Sequence, residues 1–381
     1  MSQFNFNLYV MTASVKHTFI DGSKIIIEAL AQSGADVFVG YPITPSNWLY
    51  RYAKERMPVF LPAPDEISTL QWMAGLSATG KVPVTSSAFP GIALMVESIN
   101  MAFAMELPMV IVITQRMGPS TGSATTGAQG DLKLLNGIIS GGFSVPVFSP
   151  SSFEDLWTLS NKAVETALKY RTPVFLLTSK EMVMYQKSFD ISRLKPLPRH
   201  KHHRKITGEF KPYKPEENLT PAFVPLGDDE YLTRFTASTH DAEGNIRKAD
   251  PAAMANTKRL LEKFEQNIDD LFTYHLDETE GARKLIMTWG ITSDAARDAL
   301  KILRDRGENV DLFIPTTLLP VHDKIFDIIN RYDYVVLTEE NLTGQMKEIL
   351  FGKNVPENIR SVNKMGSMIT PGEIVDAVSN I

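Results

Sequence analysis

Short apolar runs alternate with longer amphipathic stretches along two parts of the chain. Runs such as 37–39 (VFV) and 110–113 (VIVI) are rich in β-branched and aromatic residues, which is typical of buried strands. The stretch 23–33 places apolar residues on one helical face, where Asp21 or Ser23 can cap its start and Gly34 can end it. This alternation predicts a doubly wound α/β domain built on a parallel sheet.

The pattern divides the chain into three segments. A first α/β domain is predicted over 15–190 and a second, smaller α/β domain over 283–381, with a linker or insertion over 191–282 between them. The predicted strands cover 36–39, 59–61, 82–85, 109–114, 174–178, 285–288, 310–314 and 334–338. The predicted helices cover 23–33, 46–56, 65–79, 91–105, 152–170, 251–275, 293–306 and 322–331, and one more begins near residue 344.

The segment 191–282 differs from both domains because prolines and charged residues become frequent and the alternation stops. A polar helix is expected over 251–275, and the whole segment is expected to cover the surface. The basic run 198–205 (PRHKHHRK) holds three of the seven histidines and indicates a solvated linker. A metal site is less favoured there, since no carboxylate or further histidine lies nearby at ligand spacing.

Composition narrows the classes of function. The net charge of −5 argues against binding of a nucleic-acid backbone, which needs a basic surface. No apolar run is long enough to span a membrane, and the N-terminus lacks the charged start and apolar core of a signal peptide, so a cytoplasmic protein is expected. The chain has no cysteine, which excludes disulfides, thiolate zinc sites and iron–sulfur clusters held by this chain.

The loop 40–46 (GYPITPS) follows the predicted strand 36–39 and is the first candidate site element. Ligands of open parallel sheets bind beyond the carboxyl ends of the strands, and Thr44 places a hydroxyl there between two stiffening prolines. A rigid loop with one hydroxyl suits a small polar ligand. Many ordinary turns have the same composition, so the loop on its own leaves both interpretations open.

Two charged residues follow other strands of the same predicted sheet. Glu66 lies in the first turn of helix 65–79, where the helix dipole stabilises a negative charge and where a buried carboxylate can also act as a general acid or base. Arg116 comes directly after strand 109–114, in a position that suits binding of a carboxylate or phosphate, or a surface ion pair. Thr44, Glu66 and Arg116 therefore fall at one end of one sheet and describe a hydroxyl, an acid and an anion clamp.

The loop 118–131 (GPSTGSATTGAQGD) continues from Arg116. Its many Gly, Ser and Thr residues suit a loop whose free backbone amides meet an anion. It lacks the Gly-Lys-Ser/Thr of a P-loop, and a plain flexible loop has the same composition.

Together these residues resemble the alpha subunit of the 2-oxoacid:ferredoxin oxidoreductases, and most of all the 2-oxoglutarate branch. The matching words are GYPITPS at 40–46, Asp65-Glu66 at the start of a helix that ends at Gly80, and QRMGPSTG at 115–122. Further matching words are QGD at 129–131, EENLTGQ at 339–345 and KMGSMITPGEI at 364–374. The resemblance covers nearly all of the chain from about residue 20.

The resemblance implies a thiamine-diphosphate enzyme, with a thiamine pyrimidine-binding domain followed by a transketolase C-terminal-like domain. Glu66 would hydrogen-bond the pyrimidine ring, Pro42 and Ile43 would contact the cofactor, and Thr44 and Arg116 would hold the 2-oxoacid. The cofactor would be shared with a beta subunit that carries the diphosphate site, Mg²⁺ and a 4Fe–4S cluster, and no metal is expected on this chain.

The implied reaction is oxidative decarboxylation of a 2-oxoacid, with 2-oxoglutarate favoured. Coenzyme A would give an acyl-CoA and CO2, ferredoxin would be reduced, and the subunits would form an (alpha-beta)2 assembly. The segment SSAFPGIALM at 86–95 departs from the family pattern by its bulky Phe89, and the loop 122–131 lacks the Pro-Thr pair of many relatives. These changes border the expected pocket and leave pyruvate or a branched-chain 2-oxoacid open as substrates. A transketolase-type enzyme without redox chemistry and a non-catalytic anion-binding α/β subunit also remain open.

Overall fold

Two parallel sheets organise the protein, whose computed structural model describes residues 17–203, 206, 208–216 and 218–381. The N-terminal segment considered above, up to residue 16, and residues 204 and 205 of the basic run lie outside the described residues. The strands are β1 His17–Asp21, β2 Val37–Gly40, β3 Val59–Pro62, β4 Pro83–Ser87, β5 Met109–Gln115, β6 Val147–Phe148, β7 Pro173–Ser179, β8 Gln186–Asp190, β9 Tyr274–Asp277, β10 Lys284–Thr288, β11 Val310–Pro315, β12 Thr317–Leu319, β13 Tyr334–Glu339 and β14 Ile359–Asn363. The helices are α1 Gly22–Ser33, α2 Asn47–Arg56, α3 Glu66–Ala78, α4 Phe89–Ala104, α5 Leu132–Asn136, α6 Phe153–Tyr170, α7 Lys180–Met184, α8 Pro251–Glu265, α9 Ile268–Leu271, α10 Thr292–Asp305, α11 Lys324–Ile329, α12 Gln345–Phe351 and α13 Pro371–Ser379.

The first sheet has seven strands in the order β12-β6-β7-β5-β4-β2-β3, and only β12 runs antiparallel to its neighbour. Its central strand β5 is buried throughout, and its side chains alternate between two apolar clusters. Ile111 belongs to the cluster that contains α3 and α4, whereas Val112 belongs to the cluster that contains α1 and α6. Helices therefore cover both faces of the sheet, which confirms the predicted doubly wound α/β fold.

The second sheet has the order β14-β13-β10-β11-β9, with β9 antiparallel to β11. Two strands cross the predicted segment limits. Strand β9 comes from the segment 191–282 and pairs with the second sheet, and β12 comes from the segment 283–381 and pairs with β6 of the first sheet. The division into 15–190, 191–282 and 283–381 stays a prediction. Because β9 and β12 each pair with a sheet outside their own segment, the three segments are joined by strand pairing.

Two expectations for the segment 191–282 are wrong. The helix predicted over 251–275 ends at Glu265, and a short helix α9 and strand β9 follow it. The prediction of a solvated linker over 198–205 is also wrong at two histidines. The His200 amide donates to the Ser33 carbonyl at 2.8 Å, and the His202 ring stacks on the Phe223 ring with 3.9 Å between ring centroids. Burial lowers the pKa of His202 to about 4, so this ring is neutral in the fold.

A buried charge cluster attaches α8 to the first domain. The Glu106 carboxylate accepts from Arg259 Nη1 at 3.0 Å and from Lys263 Nζ at 2.8 Å, and all three side chains are buried. Arg171 donates from Nε to the Glu106 carbonyl at 3.2 Å. On the same helix, Leu260 and Phe264 join the apolar cluster that contains α3 and α4 and extends into the second domain. The segment therefore contributes to the core as well as covering the surface.

Candidate active site

The loop that carries Thr44 is tied to two neighbouring strand ends. Ser46 donates from Oγ to the Ser87 carbonyl at 2.9 Å, at the end of β4, and its hydroxyl lies 3.0 Å from that of Thr114, near the end of β5. Ser46 itself is buried. Because β2, β4 and β5 are parallel neighbours in one sheet, these bonds hold the loop beyond the carboxyl ends of three strands.

Arg116 lies directly against this loop. Its Nη1 donates to the Thr44 carbonyl at 2.6 Å, and the side chain is only 5% exposed. Its Nε is buried and has no hydrogen-bond partner among the described residues. The sequence predicted that Thr44 and Arg116 lie at one sheet edge, and the structure shows them in contact. The contact uses the backbone carbonyl of Thr44, and the Thr44 hydroxyl takes no part in it.

Glu66 begins helix α3 but does not cap it. Asp65 is the cap, since its carboxylate accepts from the Ser68 amide at 2.7 Å. The Glu66 side chain is 7% exposed, and within the described residues no hydrogen bond to its carboxylate is found. Asp65 therefore supplies the cap, and Glu66 keeps only the favourable effect of the helix dipole as a local explanation.

Gly91, in the first turn of α4, makes room for the Glu66 carboxylate. A methyl group at Gly91 would lie 2.7 Å from Glu66 Oε1 and 2.1 Å from Ser87 Oγ, both far inside van der Waals contact. Ser87 is also the residue whose carbonyl accepts from Ser46. Glu66 thus lies beside the same strand ends that hold the Thr44 loop. Of the other expected cofactor contacts in that loop, Pro42 is exposed and Ile43 is half-buried.

The loop 118–131 is more tightly bonded than the sequence suggested. Its amides at 123, 126, 127, 129 and 131 all donate within the protein, so they are not free to meet an anion. Gly127 donates to the Glu181 carboxylate at 3.1 Å, which attaches the loop to helix α7. The expectation of a loop of free amides is therefore wrong at these five positions.

The second domain holds the end of this loop through the buried side chain of Gln129. Its Nε2 donates to the Trp289 carbonyl at 2.6 Å, and its Oε1 accepts from the Thr292 hydroxyl and from the Glu340 amide, each at 2.7 Å. The Gln129 carbonyl accepts from Asn341 at 3.1 Å. The words QGD at 129–131 and EENLTGQ at 339–345, far apart in sequence, therefore form one interface.

Asp131 is a buried carboxylate beside the site that sequence reasoning did not assign a role. Its side chain is 5% exposed, and burial raises its pKa to about 7, against the opposing effect of the Arg116 charge. The sequence signal that could have pointed to Asp131 was its position in the motif QGD at 129–131. Among the described residues, no group of three or more His, Asp or Glu side chains is placed to hold a metal ion. None of the helices in the described ranges combines the length and apolar character needed to cross a membrane.

A buried acid, a buried arginine and a hydroxyl-bearing loop thus lie together at one edge of the doubly wound sheet. The chain belongs to the pyruvate flavodoxin/ferredoxin oxidoreductase family, since the family model described as "Pyruvate flavodoxin/ferredoxin oxidoreductase, thiamine diP-bdg" matches residues 28–266. Within that family it is an alpha-type subunit of a 2-oxoacid:ferredoxin oxidoreductase, which confirms the resemblance and the enzyme class expected from the sequence.

Relatives and solved structures agree with this assignment. The chain is 28% identical over 379 residues to 2-oxoglutarate synthase subunit KorA of Methanocaldococcus jannaschii, covering 96% of this chain and 100% of the relative. It is 27% identical to ketoisovalerate oxidoreductase subunit VorB of Methanothermobacter thermautotrophicus, covering 95% of this chain and 96% of that one. The fold matches 2-oxoglutarate:ferredoxin oxidoreductase from Magnetococcus marinus, solved with 2-oxoglutarate, coenzyme A and succinyl-CoA bound, with a TM-score of 0.88 and 25% identity. That match covers 96% of this chain and 65% of the other, so the chain spans about two thirds of the larger protein's length. A split-gene transketolase matches with a TM-score of 0.55 and 17% identity, which is a likeness of fold.

Proposed function

We propose that this chain is the alpha subunit of a complex that converts 2-oxoglutarate and coenzyme A into succinyl-CoA and CO2. The reaction releases one proton and two electrons, and the electrons pass to ferredoxin. The observation that carries the proposal is the buried Glu66 carboxylate, which has no hydrogen-bond partner among the described residues and lies on the same sheet edge as Arg116. The names of several relatives, 2-oxoglutarate synthase or oxidoreductase subunits, support 2-oxoglutarate as the substrate. The VorB relative supports a branched-chain 2-oxoacid as the second candidate.

The residues of this chain suit the pyrimidine half of thiamine diphosphate. A carboxylate in a dry site can share a proton with a ring nitrogen, and the Glu66 carboxylate is buried and free of protein partners in the described structure. Pro42 and Ile43 would line the same side of the cofactor. When bound, the cofactor supplies the electron sink that follows decarboxylation, while the protein contributes position and charge. Arg116 would bind the carboxylate of the 2-oxoacid, and the Thr44 hydroxyl would hold its keto oxygen.

The remaining half of the site is proposed to come from a beta subunit, in an (alpha-beta)2 assembly. A chain without cysteine supplies no thiolates for an iron–sulfur cluster, so the cluster, like the diphosphate site and Mg²⁺, is assigned to the partner. A cytoplasmic location belongs to the same proposal.

The outer faces of α3 and α4 support such a partner. These helices pack together, and large apolar side chains on them face outward, including Ile67, Trp72 and Leu94, the last 53% exposed. Glu97 is the only charged residue of α4. Exposed apolar helix faces mark interaction surfaces, and this one adjoins Glu66 and Gly91 at the helix starts.

The decisive experiment is reconstitution of this chain with the proposed beta subunit. The complex is expected to reduce ferredoxin with 2-oxoglutarate, thiamine diphosphate and coenzyme A, and to discriminate against pyruvate and 2-oxoisovalerate in kcat/KM. This chain purified alone is expected to be inactive under the same conditions. Turnover by the isolated chain would contradict the shared site, and preference for 2-oxoisovalerate would select the second candidate.

Gly91→Ala is expected to lower kcat of the complex by about 10- to 100-fold, because the added methyl displaces the Glu66 carboxylate and a misplacement near 1 Å costs this much. The measurement is steady-state ferredoxin reduction. Gly372→Ala is the matched control, since a methyl there meets nothing closer than 4.0 Å. Equal kcat values for both variants would show that the Glu66 position is unimportant.

Arg116→Ala is expected to weaken transition-state binding of the 2-oxoacid by about 2–5 kcal/mol, because it removes one member of a buried charged contact. The loss is read from kcat/KM across a substrate titration. Arg283→Ala, which removes an exposed ion pair with Asp333 in the second domain, is the control and is expected to leave kcat/KM unchanged. Wild-type KM and kcat in Arg116→Ala would remove Arg116 from the site.

A further inference from the structure

Asp131 occupies the position before helix α5 where a carboxylate usually caps the helix, yet its side chain forms no capping hydrogen bond. Asp65, Ser152 and Thr370 all cap their own helices with side-chain oxygens. The Oδ2 of Asp131 is buried and has no hydrogen-bond partner in the described ranges. Capping of α5 therefore does not explain why a carboxylate is buried at position 131.

Arg116 is the charged group that acts on Asp131. The two do not form a direct ion pair in the described structure, and each carries a buried orphan atom, Arg116 Nε and Asp131 Oδ2. The backbone on both sides is fixed, because the Asp131 amide donates to Gln115 Oε1 at 3.2 Å and Gln345 Nε2 donates to the Gly130 carbonyl at 2.7 Å.

The neighbouring charges have other partners. Lys133 on α5 pairs with Glu348 of α12 at 2.6 Å. From α7, Glu181 accepts from the Gly127 amide, and after β13, Glu340 accepts from the Ile369 amide at 3.1 Å. The charge that acts on Asp131 is that of the Arg116 guanidinium.

The ionised form of Asp131 lowers the stability of the folded protein. Its pKa rises from the ordinary value of 3.8 to about 7, so its contribution to stability is full below pH 3.8 and is lost as the pH rises through 7. A side chain that lowers stability at neutral and basic pH is typical of a functional site.

We propose that Asp131 is a positioning residue for Arg116. Its carboxylate attracts the guanidinium, while the Thr44 carbonyl accepts from Nη1. The cation is thereby held at the carboxyl end of β5, with Nε left as a donor for the 2-oxoacid carboxylate. The inference rests on the proposed role of Arg116 in binding the 2-oxoacid.

The first test is Asp131→Asn in the alpha–beta complex. KM for 2-oxoglutarate is expected to rise about tenfold or more while kcat changes less than about threefold, since a binding group has lost its orientation. At pH 8 the thermal midpoint of the variant is expected to equal or exceed that of the wild type, because a buried charge is gone. Asp131→Ser, which also removes the charge, is expected to give the same KM shift. A lower midpoint with an unchanged KM would make the residue merely structural and overturn the proposal.

A double-mutant cycle on thermal stability tests the pair without any activity. Arg116→Gln alone is expected to lower the midpoint at pH 8, because Asp131 loses its countercharge, and Asp131→Asn is expected to reverse most of that loss. Additive effects would overturn the coupling. If the wild-type complex turns over no 2-oxoacid, the proposed function fails, while this cycle still decides whether Asp131 acts on Arg116.

Discussion

Glu66→Gln is expected to reduce kcat of the reconstituted complex by about 10²–10⁴-fold, the usual contribution of a positioned proton-transfer group. Glutamine fits the space that Gly91 leaves open, and it keeps the length and shape of the side chain. Its amide cannot take up or give back the proton that, under the proposed function, the carboxylate would share with the cofactor ring. Folding is expected to be unaffected, because within the described residues the Glu66 carboxylate has no hydrogen-bond partner to lose and Asp65 caps the helix.

The measurements are kcat for ferredoxin reduction and the thermal midpoint of the isolated chain. Glu55→Gln is a matched control, since it makes the same change at an exposed residue of α2 that forms a surface pair with Arg51. A kcat within about threefold of wild type for Glu66→Gln would remove Glu66 from catalysis, because loss of a general acid or base is expected to lower kcat by far more than this.

Glu106→Gln is expected to destabilise the protein by about 3–5 kcal/mol, because it leaves Arg171, Arg259 and Lys263 buried without their anion. Burial alone would raise the pKa of Glu106, but the charges of Arg259 and Lys263 hold the pKa well below its usual range. The carboxylate therefore stabilises the fold at all pH values above its unfolded pKa, and this contribution fades only in strong acid.

Urea denaturation gives the change in free energy, and proteolysis of the α8 region shows where the structure opens. Adding Lys263→Met to Glu106→Gln is expected to restore part of the stability, because one buried cation leaves with the anion. A Glu106→Gln variant as stable as the wild type, or a double variant with strictly additive losses, would contradict this account of the cluster.

The candidate site residues could be located from the sequence because each follows a strand with a clear apolar pattern. Parallel strands end at one edge, so Thr44, Glu66 and Arg116 had to come near one another once the fold class was recognised. Most of the longer strands and helices of both domains were predictable for the same reason, although β1, β8, β14 and helix α13 were not predicted. Strands as short as β6 and β12 were not, because two or three residues carry no periodicity.

The parts that escaped prediction depend on contacts between distant segments. Arg259 and Lys263 look like the solvated face of a polar helix until Glu106 is placed against them. Gly91 is a helix glycine whose purpose is visible only beside Glu66, although a glycine inside a helix is itself a signal of close approach. The sequence likewise did not show which of the adjacent acids Asp65 and Glu66 caps helix α3, and the structure assigns the cap to Asp65.

The interface around Gln129 has a mechanical consequence. Its side chain and backbone bond to Trp289, Thr292, Glu340 and Asn341, so the segment that follows Arg116 is hydrogen-bonded from both domains. Breaking these bonds would bury several polar groups without partners unless the domains also parted. The segment that follows Arg116 and the C-terminal domain are therefore expected to open as one cooperative unit.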